Sequence, residues 1–478
     1  MAGARHAVVI GGGITGLACA YYLKAAGAQV TVLETSAKPG GILQTVEKNG
    51  FLFEAGPQCP RFSPRLWQLI RDVGIAGEFL PADSRAPRYI LKDGRLHKAP
   101  FSPLAFLTTD LVSLRTKLRL TAEVFRRSHP PDDEESLANL IRRKFGSDLL
   151  ECIVDPVISA VFAGDPEKMG VGSAFPFLAR WEREQGSLFL GAIKSRGAGK
   201  LQRSGKRPAT QPPSNDAQRL SVTESLPPLG SFRNGVGTLP AALAGRLGDS
   251  LRLSTAAQSL ERVSGAPNSL PQWRIRLRSG AEIVADAVVI ATPAQEASQL
   301  FTLAELDLAS TLAAFPYAPI TVVSLAFERS QVRAPLRGFG FMVPRRENLN
   351  TFYTVWNSSL FPGRAPEGKI LITSFAGGAR KASFAGQEDE TAARVVEGEI
   401  SPILGTDGPA IERFVWNHPR ALPQFNIGHA ARVNSVRQSV ERLPGVFLAG
   451  NYLDGRSLGD CVEIGFQTAE GAKRLLGL

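Results

Sequence analysis

The segment that most restricts the fold is VVIGGGITGLACAYYLKAAGAQVTVLE, Val8 to Glu34. Val8, Val9 and Ile10 form a short β-branched run suited to a buried parallel strand, and Gly11, Gly13 and Gly16 complete G-x-G-x-x-G where that strand ends. Gly11 permits the tight turn, Gly13 lets backbone N–H groups approach a pyrophosphate, and Gly16 lets the next helix press against the sheet. Ile14 and Thr15 lie within the same phosphate-binding loop, and the helix is expected from Leu17 to Ala26, its positive dipole end toward the phosphates. Gly27 ends the helix, Val30 to Leu33 make a second strand, and Glu34 stands at its tip, 18 residues beyond Gly16, where a carboxylate accepts from ribose hydroxyls. The glycines alone are a weak signal. Strand, glycines, helix, strand and terminal acid in that order predict an adenine dinucleotide, and the Glu34 charge argues against the 2′-phosphate of NADP.

The following stretch, SAKPGGILQTVEKNGFLFEAGP, separates NAD from FAD. Gly40 and Gly41 follow basic Lys38, and a strand then ends in Glu54, Gly56 and Pro57. A second glycine pair lets more backbone approach the diphosphate and ribityl chain, which a nicotinamide cofactor does not require. The same domain resumes downstream. SFRNGVGTLPAALAGRL reads as a turn and helix, and AEIVADAVVIATPAQEA as a strand ending at Ala291, Thr292 and Pro293. Near the C-terminus, LPGVFLAGNYLDGRSLGDCVEIGFQTAEGAKRL gives a strand, Val446 to Ala449, then Gly450, a loop, and a helix from about Cys461 with Asp460 and Val462 beside it. That helix start is expected to face the flavin N1–C2=O edge and stabilise the charge of the reduced ring. These motifs resemble the flavin-containing amine oxidase superfamily, although Lys38 stands where that family usually carries arginine, so a bidentate phosphate contact becomes a point-charge contact.

Composition supplies the outer limits. A chain of 478 residues, 44% hydrophobic and 21% charged, has room for two or three globular domains. The four cysteines, Cys19, Cys59, Cys152 and Cys461, are far apart and make no C-x-x-C, so no zinc site, no other metal and no disulfide framework is expected. The early apolar run is strand and glycine loop rather than a secretory leader, and no stretch approaches the ~20 apolar residues of a membrane span. The formal net charge of +11 raises nucleic acid, an anionic membrane and an acidic substrate as partners. No aromatic residues interleave the basic ones as a nucleic-acid stacking platform needs, so nucleic acid is excluded. Residues 193–230 hold seven Lys or Arg against two acids and read as a solvated flexible basic loop. Leu104, Leu107, Leu111, Leu114 and Leu118 recur at helical spacing, with Arg115, Lys117, Arg119, Arg126 and Arg127 around and after them. This pattern suits an amphipathic helix on a membrane or one packed on the protein.

AVFAGDPEKMGVGSAFPFLARWEREQGSLFLG, GFGFMVP, SSLFPGRAPEGKILITSFAGG and WNHPRALPQFNIGHAAR narrow the resemblance to the oxygen-dependent protoporphyrinogen oxidase family, particularly its bacterial and plastid branch. The resemblance covers nearly the whole chain. It implies an α/β protein with a discontinuous Rossmann-like FAD-binding domain (1–84, 231–293 and 430–478), a mixed-sheet substrate domain (85–100 and 294–429) and a mostly α-helical membrane-associated domain (101–192). It also implies a six-electron oxidation of protoporphyrinogen IX with molecular oxygen as acceptor and peroxide as by-product. The place would be cytoplasmic, peripheral on the inner face of the cell membrane, and a homodimer is left open.

No catalytic side chain is expected, because flavin N5 accepts the hydride and the protein orients the macrocycle. Arg88 matches the arginine that holds a substrate propionate, a role that suits a guanidinium fork, and Phe361 matches the aromatic residue that stacks on the tetrapyrrole. Gly340, Met342 and Phe375 match positions lining the same pocket, and His429 is expected to be structural. Gln58 departs from the plastid pattern, which has asparagine after Gly-Pro, and this puts a catalytic role for the position in doubt. Three alternatives are weighed: a coproporphyrinogen III oxidase, which more basic pocket residues would favour, another flavin amine oxidase or desaturase, and a noncatalytic FAD-fold carrier.

Overall fold

The computed structural model describes residues 5–125, 130–131, 134–194, 229–263, 272–301, 305–455 and 457–478. The first strand, His6–Ile10, is the centre of a five-stranded parallel sheet. It pairs in register with Gln29–Leu33 on one side and with Ala287–Ile290 on the other, and Val446–Leu448 and Leu251–Arg252 complete the edges. The β-branched run is buried on both faces. Ala7 and Val9 point into one core with Leu17, Leu243 and Val462, while Val8 and Ile10 point into another with Leu260, Ile275 and Val433. Helices Ile14–Ala25, Thr238–Leu247 and Leu458–Leu476 supply the first face. A three-stranded antiparallel sheet, Ala257–Val263, Gln272–Leu277 and Glu282–Ala285, and helix His429–Glu441 supply the second. Three separate stretches of chain therefore build one Rossmann-like layer structure, as parallel strands with crossovers require.

A seven-stranded sheet forms the second body, in the order Glu412–Pro423, Tyr317–Glu328, Lys369–Gly377, Thr351–Val355, Gly340–Met342, Arg88–Lys92, Arg95–Lys98. All its pairings are antiparallel except that of Gly340–Met342 with Arg88–Lys92. Helix Asp389–Leu404 covers one face, packing Ala392, Val396 and Ile400 on Val323, Leu325 and Ile372. The other face carries Trp416, Val322, Phe375, Tyr353, Met342 and Ile90. Position alternates in a strand, so Arg88, two residues before Ile90, lies on this second face too.

The described residues between 103 and 185 form a series of helices around a core of Leu137, Leu140, Ile141, Phe145, Leu150 and Ile158. The leucine stripe does not form one helix. Pro103–Thr108 and Leu114–Ala122 are separate, the second started by Ser113, whose Oγ accepts from the Thr116 amide. The break turns Leu111 into the core, 1% exposed beside Ile90 and Met342, while Leu104, Leu107, Leu114 and Leu118 remain 54–73% exposed. Arg126, Arg127 and residues 195–228 of the expected basic loop lie outside the described residues. The end of that expected loop is in fact structured, since Gly230 opens a strand, Gly230–Phe232, paired with Phe79–Pro81. No described helix is long and apolar enough to cross a membrane.

Candidate active site

The glycine loop shows how two motifs become one surface. Gly11 sits at φ +109°, a conformation glycine adopts without strain. The Gly12 amide donates to Glu34 Oε2 at 2.7 Å, and the Ser36 amide to Glu34 Oε1 at 2.7 Å, so backbone donors hold the carboxylate at the strand tip. The Gly40 amide donates to the Gly12 carbonyl at 2.8 Å, bridging the second glycine pair to the first. A Cβ on Gly56 would lie 2.5 Å from the Ile42 carbonyl oxygen, so the turn through Gly56 and Pro57 packs directly on the residue after Gly41.

The remaining glycines differ in what they spare. A Cβ on Gly16 would lie 2.0 Å from the Gly11 carbonyl oxygen, and one on Gly465 2.6 Å from that of Thr15, which is how helix Leu458–Leu476 packs closely on Ile14–Ala25. Gly465 was not among the expected site residues, because a glycine inside a helix declares its purpose only through its partner. A Cβ on Gly13 would meet no atom within 4 Å. Gly13 thus guards an open side at the N-terminus of a helix, and the buried Thr292 hydroxyl near Gly11 has no partner among the described residues. Open space at a helix N-terminus and an orphaned hydroxyl fit a diphosphate.

Helix Leu458–Leu476 begins three residues before the expected Cys461. Ser457 and Asp460 form a reciprocal capping box, with Ser457 Oγ accepting from the Asp460 amide at 3.1 Å and Asp460 Oδ2 from the Ser457 amide at 2.9 Å. The Asp460 carboxylate therefore serves its own helix. Burial pushes the Cys461 thiol up to about 11, partly opposed by a hydrogen bond with Thr15, and Val462 is fully buried in the core. Gly450 is needed by Tyr452, whose ring would lie 2.0 Å from a Cβ there. Lys38 is exposed and has no side-chain partner among the described residues.

The substrate-side residues meet on one face of the seven-stranded sheet. Gly340 pairs with Arg88 on one side and Val355 on the other, and Met342 with Ile90 and Tyr353. Tyr353 in turn pairs with Phe375, the two rings stacked with centroids 6.0 Å apart. Gly340 is at φ +135°, and a Cβ there would lie 1.9 Å from the Thr354 carbonyl oxygen, so its presence is a backbone requirement. The Arg88 guanidinium lies 3.8 Å from the centroid of Phe339 and 5.7 Å from that of the exposed Phe101. Phe339 and Phe361 pack together against Ala82, with Cys59 beside them. Phe339 and Tyr353 are additional site residues; their signal lay in GFGFMVP and in strand alternation from Val355.

The turn from Glu54 to Cys59 joins the two bodies. His418 Nε2 lies 2.7 Å from the Ala55 carbonyl, and burial lowers the imidazole pKa. Glu54 and Arg364, each 1% exposed, form an ion pair at 3.5 Å. Arg364 also donates to Ser231 Oγ at 2.7 Å and to the Phe232 carbonyl at 3.0 Å, and Glu54 accepts from Thr45 at 2.6 Å and the Val236 amide at 3.0 Å. Other arginines are likewise committed: Arg380 to Asp155 at 2.7 Å, and Arg345 to Asp165. Arg88 has no carboxylate partner among the described residues. His429 is 3% exposed between the rings of Phe315 and Phe425. No group of residues arranged to hold a metal occurs among the described residues.

A dinucleotide cradle is set beside an aromatic sheet face, and comparison with known proteins supplies the family. The model of the flavin containing amine oxidoreductases matches residues 14–472. The chain belongs to that family. FAD is accordingly its cofactor. It is 32% identical to the chloroplastic protoporphyrinogen oxidase of Oryza sativa over 97% of this chain and 87% of that one. It is 27% identical to the coproporphyrinogen III oxidase of Bacillus subtilis over 97% of each chain. A solved structure from Exiguobacterium sp., assigned as a protoporphyrinogen oxidase, superimposes with a TM-score of 0.79 at 25% identity, covering 99% of both chains.

Proposed function

We propose that this family member oxidises protoporphyrinogen IX to protoporphyrin IX with molecular oxygen, releasing hydrogen peroxide. The observation that carries the reading is Arg88, a guanidinium with no carboxylate partner among the described residues, set on Phe339 beside Phe361 near the stacked rings of Tyr353 and Phe375. A flat apolar macrocycle with few carboxylates suits such a surface, and the commitment of Arg364, Arg380 and Arg345 to internal acids speaks against a substrate with four propionates. When bound, the flavin supplies the hydride acceptor and the route to oxygen. The chain's own task is to hold a propionate at Arg88, seat the ring against Phe361, Tyr353 and Phe375, and exclude water from the seam beside Gly56 and Pro57. None of these steps asks a side chain to act as acid or base.

The test supplies protoporphyrinogen and coproporphyrinogen separately under air and follows porphyrin fluorescence with peroxide release. Faster turnover of coproporphyrinogen would make the chain a coproporphyrinogen oxidase. A charge-assisted contact to a propionate contributes roughly 1.5 to 3 kcal/mol, and the propionate lies away from the bond that breaks. Arg88→Ala is therefore expected to raise KM about tenfold to a hundredfold with a smaller change in kcat. Arg88→Lys should recover part of the loss, since a point charge cannot reproduce a fork. A propionate-esterified substrate should be nearly indifferent to Arg88→Ala, and equal damage to ester and acid would make Arg88 structural.

We also propose that the face of the helical region formed by Leu104, Leu107, Leu114 and Leu118 rests on the inner surface of the cytoplasmic membrane. Their exposure of 54–73%, with Phe101 at 63% and Phe125 at 86%, is accompanied by basic Arg115, Lys117 and Arg119. Apolar insertion and attraction to anionic lipid act together in such a surface. Replacing Leu104 and Leu107 by serine should lower partitioning onto anionic vesicles about tenfold, read by flotation, with thermal stability unchanged because these side chains are already solvated.

A further inference from the structure

We propose that Gln58 and Asn357 form a positioning pair that sets the separation between the flavin-side turn at Gly56 and Pro57 and the ring of Phe361. This deepens the oxidase reading and rests on it. Gln58 is 4% exposed and Asn357 2%, at the seam where the dinucleotide domain meets the sheet. Gln58 Nε2 donates to two carbonyls of its own turn, Gly56 at 2.8 Å and Glu54 at 3.2 Å. Its Oε1 must then face Asn357, whose Nδ2 donates to it at 2.5 Å. Asn357 cannot be reversed, because its oxygen would meet the Gln58 oxygen. The consequence is visible: Asn357 Oδ1 is buried and no group among the described residues donates to it. An orphaned buried oxygen is costly, and the contact of the nitrogen end with Gln58 is what the segment keeps at that cost.

The backbone of Asn357 carries the other half of the device. Its carbonyl accepts from the Phe361 amide at 3.0 Å, closing the turn that presents Phe361. The adjacent Trp356 amide donates to the Phe339 carbonyl at 2.9 Å, so the two aromatic residues and Asn357 belong to one tied segment. Gln58 connects that segment to the turn on the flavin side. An amide neither gains nor loses a proton at neutral pH, so this position works through reach. Gln58 is one methylene longer than asparagine, and Asn357 is placed to meet that length.

The test uses full-length, FAD-loaded protein and follows flavin bleaching by protoporphyrinogen in anaerobic single turnovers, beside steady-state assays. Gln58→Asn removes the reach and Asn357→Asp removes the donor with the shape kept. Each should slow bleaching by about tenfold to a hundredfold, as expected for misplacement near 1 Å, and lower kcat more than it changes KM. Their combination should be no slower than the slower single variant, because one interaction is lost once. Gln58→Asn with Asn357→Gln restores the summed length and should recover part of the rate. Bleaching by dithionite, which needs no stacked substrate, should stay at the wild-type rate throughout. Single variants at wild-type rate, multiplying effects in the combination, loss of flavin, or an equal slowing with dithionite would each overturn the pair as a positioning device. If wild type bleaches only with coproporphyrinogen, the substrate reading falls, and the same series on that substrate still decides the pair. A wild type inert toward both overturns both proposals.

Discussion

Gly13→Ala is expected to fold like the parent chain and to hold FAD more weakly by about a hundredfold or more. Gly13 is at φ −69° and ψ 173°, which alanine adopts freely, and its Cβ would touch no atom of the protein. The methyl group would instead stand in the open side of the loop, where a diphosphate must approach the amides at the start of helix Ile14–Ala25. Losing two phosphate contacts at roughly 1.5 to 3 kcal/mol each gives the expected factor. Apo-protein should melt within about 2 °C of wild type, whereas flavin titration should fail at concentrations that saturate the parent. Gly16→Ala is the contrasting variant. Its Cβ would lie 2.0 Å from the Gly11 carbonyl oxygen, so the turn itself must move and apo stability should fall along with flavin binding. Full FAD affinity in Gly13→Ala would place the diphosphate elsewhere.

The contrast between these two glycines marks what the sequence could disclose. The spacing from Gly11 to Gly16, the strand to Leu33 and the acid at Glu34 are all local, so the chain announces the turn, the helix and the tip in order. The pairing of Gly340 with Arg88 is not local, yet both lay in segments whose resemblance put them in one pocket. The leucines from 104 to 118 illustrate the opposite limit. Periodicity alone could not register that Ser113 starts a new helix, nor that Leu111 leaves the stripe to meet Met342. A period of hydrophobic residues states that a face exists, while caps decide where it is cut. Gly465, Glu54 with Arg364, and Gln58 with Asn357 were silent for a common reason: each acts through a partner far away in the chain, and one sequence contains no distances.

Arg364→Met should be the most destabilising of the side-chain changes considered, by about 3 to 5 kcal/mol near neutral pH. The guanidinium is buried, pairs with the Glu54 carboxylate and donates to three acceptors, Ser231 Oγ and the carbonyls of Phe232 and Arg233, across the junction between the flavin-side turn and the substrate sheet. Methionine keeps much of the stem's volume and leaves the Glu54 carboxylate buried without its cation. Burial already raises the Glu54 pKa, with Arg364 the main opposing influence, followed by Thr45 and the Val236 amide. Without Arg364 it must rise further. A carboxyl whose folded pKa exceeds its unfolded value stabilises the fold in the protonated form, so its contribution is present at low pH and lost as pH rises through the folded pKa. The deficit of the variant relative to wild type should therefore shrink as pH falls from 7.5 toward 5, although both proteins weaken as other paired carboxylates protonate. Urea unfolding of the two proteins side by side at several pH values measures this difference. Arg364→Met combined with Glu54→Gln should recover part of the loss at neutral pH, because the second change removes the stranded charge while retaining a hydrogen-bonding group for Thr45 and Val236. A deficit that stays constant across pH, with no recovery in the double variant, would show that Arg364 acts through its carbonyl contacts and that the pairing with Glu54 contributes little.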